Sequence, residues 1–105
     1  MKSITVEQLK TWKENNTPHQ LIDVRELYEI ETCTIGGLHI PMAEVMDRVA
    51  EINKDIPVII HCKSGRRSEA VVYELERRFG LSNVYTLSGG IMAWIDAVDH
   101  SLMKY

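Results

Sequence analysis

Pro57-Val58-Ile59-Ile60-His61-Cys62-Lys63-Ser64-Gly65-Arg66-Arg67-Ser68 decides how this chain folds. Val58 to Ile60 is an unbroken apolar run after a proline. Such a run suits a strand buried on both faces of a parallel sheet. It stops at Cys62, a polar, glycine-containing loop follows, and from Arg67 the pattern turns helical. The cysteine is therefore placed at the C-terminal end of a buried strand, facing the start of a helix. Open α/β sheets bind ligands at that edge. Helix N-termini carry unpaired N–H groups and partial positive charge, which stabilise a thiolate. Lys63, Arg66 and Arg67 put three cations within five residues, in a chain whose net charge is −3. That local reversal of charge points to an anionic substrate at a reactive sulfur.

Loop length separates the chemistries that use such a cysteine. Cysteine-dependent phosphatases need a cysteine, five residues and then an arginine, so that loop N–H groups surround a phosphate and the arginine clamps two of its oxygens. Counted from Cys62, that arginine falls on position 68, which is Ser68; Arg67 follows after only four intervening residues. A loop one residue shorter fits a smaller group, such as the outer sulfur of a persulfide.

The surrounding sequence reads as strands alternating with helices. Ser3 to Thr5 starts a short edge strand, and Thr5-Val6-Glu7-Gln8 is a capping box that opens a helix through about Asn15. Gln20 to Val24 is a strand, Arg25 to Ile30 a short helix and Leu38 to Ile40 a brief strand. Pro41 starts a helix with Val45, Val49 and Ile52 as its apolar stripe. After the strand Val58 to Cys62, a helix from Arg67 to Phe79 carries Val71, Leu75 and Phe79 on one face, and Gly80 suits its C-terminus. Val84 to Leu87 is another strand; Gly89-Gly90 permits a tight approach before a helix over Ile91 to Ala97. This alternation predicts a parallel sheet with helices on both faces. Trp12 and Trp94 read as packing anchors.

Four segments in order, covering nearly the whole length, resemble the single-domain rhodaneses, a family of sulfurtransferases. They are Leu21-Ile22-Asp23-Val24-Arg25 with Glu29, then Ile35, Gly37 and Ile40-Pro41, then His61 to Ser68, then Asn83-Val84 and Leu87 to Ile91 with Trp94. The second segment departs from the family pattern: it is one residue shorter and has Cys33 and Thr34 where a glycine and a histidine are usual. The resemblance implies a three-layer rhodanese-like α/β fold with a mainly parallel central sheet, no cofactor and no metal. It also implies a two-step cycle. The Cys62 thiolate takes the outer sulfur of a small anionic donor such as thiosulfate, and the persulfide passes it to cyanide, a thiol or a protein cysteine. Lys63, Ser64, Gly65, Arg66 and Arg67 then line the substrate site. Arg67 is the first choice for direct contact, because it closes the loop; Arg66 either contacts the donor or is a solvated surface charge. A cysteine-dependent phosphatase or arsenate reductase, and a non-catalytic rhodanese-like regulatory module, are the alternatives.

Supporting residues follow from spacing. Neighbouring strand residues point to opposite faces, so His61 faces away from the loop and finds hydrogen-bond partners elsewhere. That leaves the Cys62 thiolate without a side-chain base. Ser64 and Ser68 either hydrogen-bond the sulfur or cap the following helix, and for Ser68 the cap is the expected role. Arg25 and Glu29, four apart, predict an ion pair beneath the site. Asp23 either orients loop groups or stabilises a turn. Cys33 reads as a bystander, with a resolving thiol as its alternative role. Two cysteines make neither a disulfide framework nor a zinc signature, and His19, His39 and His100 show no metal spacing.

Composition bounds the rest. A chain of 105 residues, 45% apolar and 26% charged, predicts a single globular domain over 1–105. Its mild acidity argues against nucleic acid as a partner, and no apolar run approaches a membrane span. The first residues lack a signal-peptide core, so a cytoplasmic protein is expected.

Overall fold

A computed structural model describes residues 1–105. Five strands, β1 (Lys2–Ile4), β2 (Gln20–Asp23), β3 (Leu38–His39), β4 (Val58–His61) and β5 (Val84–Leu87), form one sheet in the order β1-β5-β4-β2-β3. Every pairing is parallel. Helices α1 (Val6–Glu14), α2 (Leu27–Thr32) and α3 (Arg66–Phe79) and a 3-10 segment over Met42–Glu51 run between the strands, and α4 (Gly90–Ala97) follows β5. The expected α/β class and the parallel sheet are both present.

Strand alternation divides the core. Ile22, Val58, Ile60 and Cys62 face a cluster completed by Val45, Ile52, Val71, Val72 and Leu75. Leu21, Ile59 and Leu87 face the other way, against Val6, Leu9 and Trp94. β4 is central in the sheet, paired with both β2 and β5, and its four residues are all buried. This is why its sequence reads as continuous apolar residues. Trp94 is buried and Trp12 packs partly against the same cluster, in keeping with their expected role as anchors.

The capping box at α1 forms as expected: Thr5 Oγ1 accepts from the Gln8 amide at 3.1 Å, and Gln8 Oε1 accepts from the Thr5 amide at 2.8 Å. Gly80, at φ +64°, closes α3 in the left-handed conformation.

Three local expectations need correction. The helix expected from Arg25 begins only at Leu27, because the Arg25 amide donates to Asp23 Oδ1 at 3.0 Å in a side-chain turn that holds residue 25 out of helical geometry. The helix expected after Pro41 is 3-10 and breaks at Arg48, at φ −117° and ψ 24°. Arg48 there bonds Glu51 at 2.7 Å and Glu44 at 3.1 Å; Val45 and Ile52 still reach the core, while Val49 is half-buried. In α3 the buried face is Val71, Val72 and Leu75, and Phe79 in the last turn is exposed. No helix is long and apolar enough to cross a membrane.

Candidate active site

Cys62 is the first residue past the end of β4. The loop turns at Gly65, whose φ of +108° favours glycine, and α3 begins at Arg66. The turn places the Cys62 sulfur under the first turn of α3. Cys62 Sγ accepts from the Gly65 amide at 3.1 Å and from the Ser68 amide at 3.4 Å. The sulfur therefore does what an N-capping oxygen usually does: it satisfies amides that have no intrahelical acceptor. Both donors, and the positive end of the α3 dipole, are directed at that atom.

Ser68 is not the cap. It lies inside α3, where its hydroxyl donates to the Gly65 carbonyl at 3.0 Å and shares a 2.6 Å contact with Thr86 Oγ1. The Cys62 thiol donates to the same Ser68 oxygen at 3.7 Å. Sequence spacing could not show this, because α3 starts one residue earlier than its pattern suggests and Thr86 comes from β5. Ser64 is exposed, and its hydroxyl makes no hydrogen bond.

A second helix holds the loop from the other side. The Ile91 amide donates to the Cys62 carbonyl at 2.9 Å and the Met92 amide to the Lys63 carbonyl at 3.1 Å. Gly90, at φ +60°, makes the approach possible: a Cβ there would lie 2.5 Å from both carbonyl oxygens. The Gly89-Gly90 pair thus lets α4 dock its N-terminus directly on the loop backbone. Cys62 itself is only 1% exposed, so any group delivered to its sulfur must enter the loop.

The charges around the loop are arranged differently from their spacing. Arg67 donates to both Glu29 oxygens, at 2.7 and 2.9 Å. The expected Arg25–Glu29 ion pair is absent, because Arg25 precedes α2 and the four-residue helical register does not apply to it. Arg25 instead pairs with buried Asp23 at 2.8 Å. It also donates to the Cys33 carbonyl at 2.8 Å and, weakly, to the Glu29 carbonyl at 3.4 Å. The Asp23 carboxylate therefore anchors Arg25 and accepts no hydrogen bond from the loop. The Arg67 guanidinium holds the Glu29 carboxyl down at about 2. Arg66 is exposed and forms no ion pair.

Tyr105, which no sequence pattern singled out, joins this network. Its hydroxyl donates to Glu29 Oε2 at 2.7 Å and accepts from Arg25 Nη1 at 2.9 Å. Burial pushes the phenol up to about 12, so it remains a neutral donor. The Lys63 ammonium lies over its ring, 4.5 Å from the centroid. His39 was also missed: its Nε2 is 2.7 Å from the Arg25 carbonyl. Both partnerships are long-range, and neither residue stands in a local motif.

His61 is fully buried on the face opposite Cys62, as alternation requires. The expected hydrogen-bond partners are missing: neither ring nitrogen has one, and Asp23 Oδ2 is 3.6 Å from Nε2. Burial, opposed by Asp23, brings the imidazole down from 6.5 to about 4. Unfolding lets the ring protonate at its ordinary value, so this residue favours the folded state fully above pH 6.5, and that contribution fades as pH falls toward 4. Unfolding free energy is expected to drop by about 2 kcal/mol between about pH 7 and pH 5. His61→Leu should remove most of that slope in urea titrations, and an unchanged slope would show that His61 does not cause it. Cys33 is buried beside Ile91 and Ile95, with its sulfur 3.9 Å from Arg25 Nη1. No group of three His, Cys, Asp or Glu side chains is placed to hold a metal ion.

Residues 5–97 match the family model described as the rhodanese-like domain. This chain belongs to the rhodanese-like domain family. The rhodanese-like domain is 35% identical over 102 residues to a Drosophila willistoni protein named adenylyltransferase and sulfurtransferase MOCS3, a match covering 89% of this chain and 22% of that protein. It thus spans about a fifth of the length of the curated relatives it matches. Among solved structures it is similar to a rhodanese-like domain protein from Staphylococcus aureus, with 33% identity and a TM-score of 0.82 over 100% of this chain and 99% of that one. A rhodanese-related protein from Thermoplasma volcanium is 29% identical, with a TM-score of 0.78 over 93% of this chain and 94% of that one.

Proposed function

We propose that this rhodanese-like domain is a sulfurtransferase that carries a sulfur atom on Cys62. The observation that carries the reading is the position of Cys62 Sγ at the base of a six-residue loop, where the Gly65 and Ser68 amides donate to it. In the first step the Cys62 thiolate attacks the outer sulfur of thiosulfate or of a persulfide. A new S–S bond forms, the donor's S–S bond breaks, and its electron pair leaves with sulfite or with a thiolate. The Cys62 persulfide anion then sits at the N-terminus of α3, where amides and dipole stabilise it. In the second step cyanide or an acceptor thiolate attacks the outer sulfur, and the electron pair returns to Cys62. Two displacements at sulfur replace one difficult transfer. The exposed Arg66 and the nearby Lys63 attract the anionic donor. A protein thiol is a suitable acceptor class, in line with a relative whose name includes sulfurtransferase.

Arg67 takes a different part from the one its sequence position implies. Both of its hydrogen-bonding arms lie on Glu29, so it supports the loop from behind and is not free to clamp two oxygens of a substrate. This commitment, added to the shorter loop, counts against the phosphatase and arsenate reductase readings. Incubation with thiosulfate is expected to add the mass of one sulfur atom to the intact protein, and cyanide to remove it as thiocyanate. No added mass, together with aryl-phosphate hydrolysis blocked by alkylation of Cys62, would replace sulfur transfer with phosphatase chemistry.

A further inference from the structure

The segment after α4 brings Tyr105 back to the loop, across 42 residues from Lys63 and 76 from Glu29. The Tyr105 side chain packs with Leu102 and Met92 against Cys33, Ile91 and Ile95. Its hydroxyl is fixed between Glu29 and Arg25. A ring held at both its body and its tip is a rigid platform, and the Lys63 ammonium rests on it at 4.5 Å. Lysine is otherwise a hydrated point charge on a flexible stem, free to swing into water. The Tyr105 ring is the only partner of the Lys63 ammonium; no carboxylate or carbonyl accepts from it. Lys63 directly follows Cys62, and its carbonyl accepts from the Met92 amide of α4, so the backbone that carries its side chain is held in place next to the cysteine in the chain.

We propose that Tyr105 is a positioning residue that holds the Lys63 ammonium beside the loop, so that Cys62 prefers anionic reactants. The proposal deepens the sulfur-transfer reading and rests on it for the natural role of that preference, the capture of an anionic sulfur donor. The ring acts by its π face, which attracts a cation; the hydroxyl acts by aligning the ring. Glu29 contributes indirectly: with its carboxylate occupied by Arg67 and Tyr105, it offers Lys63 no competing acceptor.

The test compares how fast Cys62 reacts with iodoacetate, an anion, and with iodoacetamide, its neutral analogue, in folded protein carrying Cys33→Ser. The ratio of the two rates reports the local positive charge and needs no sulfur transfer. Tyr105→Leu keeps apolar bulk but has no π face, and is expected to lower the ratio about threefold, the scale of one half-exposed cation–π contact. Tyr105→Phe keeps the face and should retain most of the ratio. Lys63→Met should lower it at least as far as Tyr105→Leu, and adding Tyr105→Leu to Lys63→Met should change it no further. Should Tyr105→Leu fail to fold, Tyr105→Met supplies the same loss of the ring face. A ratio that is unchanged or raised in the ring-free variants, that is insensitive to Lys63→Met, or that falls as much in the Lys63→Met background as without it, overturns the proposal. A protein that shows these ratios yet acquires no sulfur from thiosulfate or from a persulfide donor would refute the sulfur-transfer reading while leaving the Tyr105–Lys63 arrangement standing.

Discussion

Cys62→Ser is expected to abolish thiosulfate-to-cyanide sulfur transfer, lowering it by roughly a thousandfold or more, while folded Cys33→Ser keeps it. The two thiols are both buried, and burial alone does not separate them. Their surroundings do. Cys62 Sγ accepts from two amides at the start of α3. Cys33 lies among Ile91 and Ile95, and its carbonyl serves as an acceptor for Arg25. A serine at position 62 can still accept from those amides, so the fold should survive. What it lacks is a polarisable sulfur nucleophile that forms a bond to the donor's sulfur and later leaves from it. Steady-state thiocyanate formation, measured on variants shown to be folded by thermal melting, decides the matter. Substantial turnover by Cys62→Ser, or its complete loss in folded Cys33→Ser, would remove Cys62 from its proposed role.

Arg25→Leu is expected to destabilise the protein by about 3–5 kcal/mol, the scale for removing one partner of a buried ion pair. Arg25 has no solvent exposure and Asp23 is 1% exposed. The guanidinium meets the carboxylate through Nε and Nη2, and also donates to the Cys33 carbonyl and Tyr105 hydroxyl. Leucine leaves the Asp23 charge with only the Arg25 backbone amide and leaves the Cys33 carbonyl without its donor. Asp23→Asn in the Arg25→Leu background should recover part of the loss, because it removes the uncompensated charge and keeps an amide-accepting oxygen. Urea unfolding of the single and double variants measures this. A loss below about 1 kcal/mol in Arg25→Leu would mean that the Asp23 charge is not left uncompensated and that this pair contributes no more than an exposed one.

The features legible in the sequence alone are those written in contiguous residues. The buried strand Val58–His61, the sulfur one step beyond it, the glycine turn at Gly65 and the helix after it all lie within a dozen positions. Their local preferences agree with one another, so the order strand, cysteine, turn, helix can be read directly. The Thr5–Gln8 capping box is equally local. The Gly89-Gly90 pair was legible as a site of close approach, since two adjacent glycines before a helix offer little else.

Which charges meet depends on contacts between segments far apart in the chain. A spacing of four between Arg25 and Glu29 pairs them only on a helix, and the Asp23 side chain stops the helix from reaching residue 25. Glu29 is thereby left for Arg67, 38 residues away, and for Tyr105, 76 residues away. Ser68 likewise turns from a cap into a neighbour of the sulfur, because β5 brings Thr86 to its hydroxyl and the Cys62 sulfur already accepts from the first-turn amides. His61 was placed on its face by alternation, but its lack of any partner depends on everything packed around it. Periodicity assigns a residue to a face; which polar groups meet there is set by the crossing of segments distant in sequence.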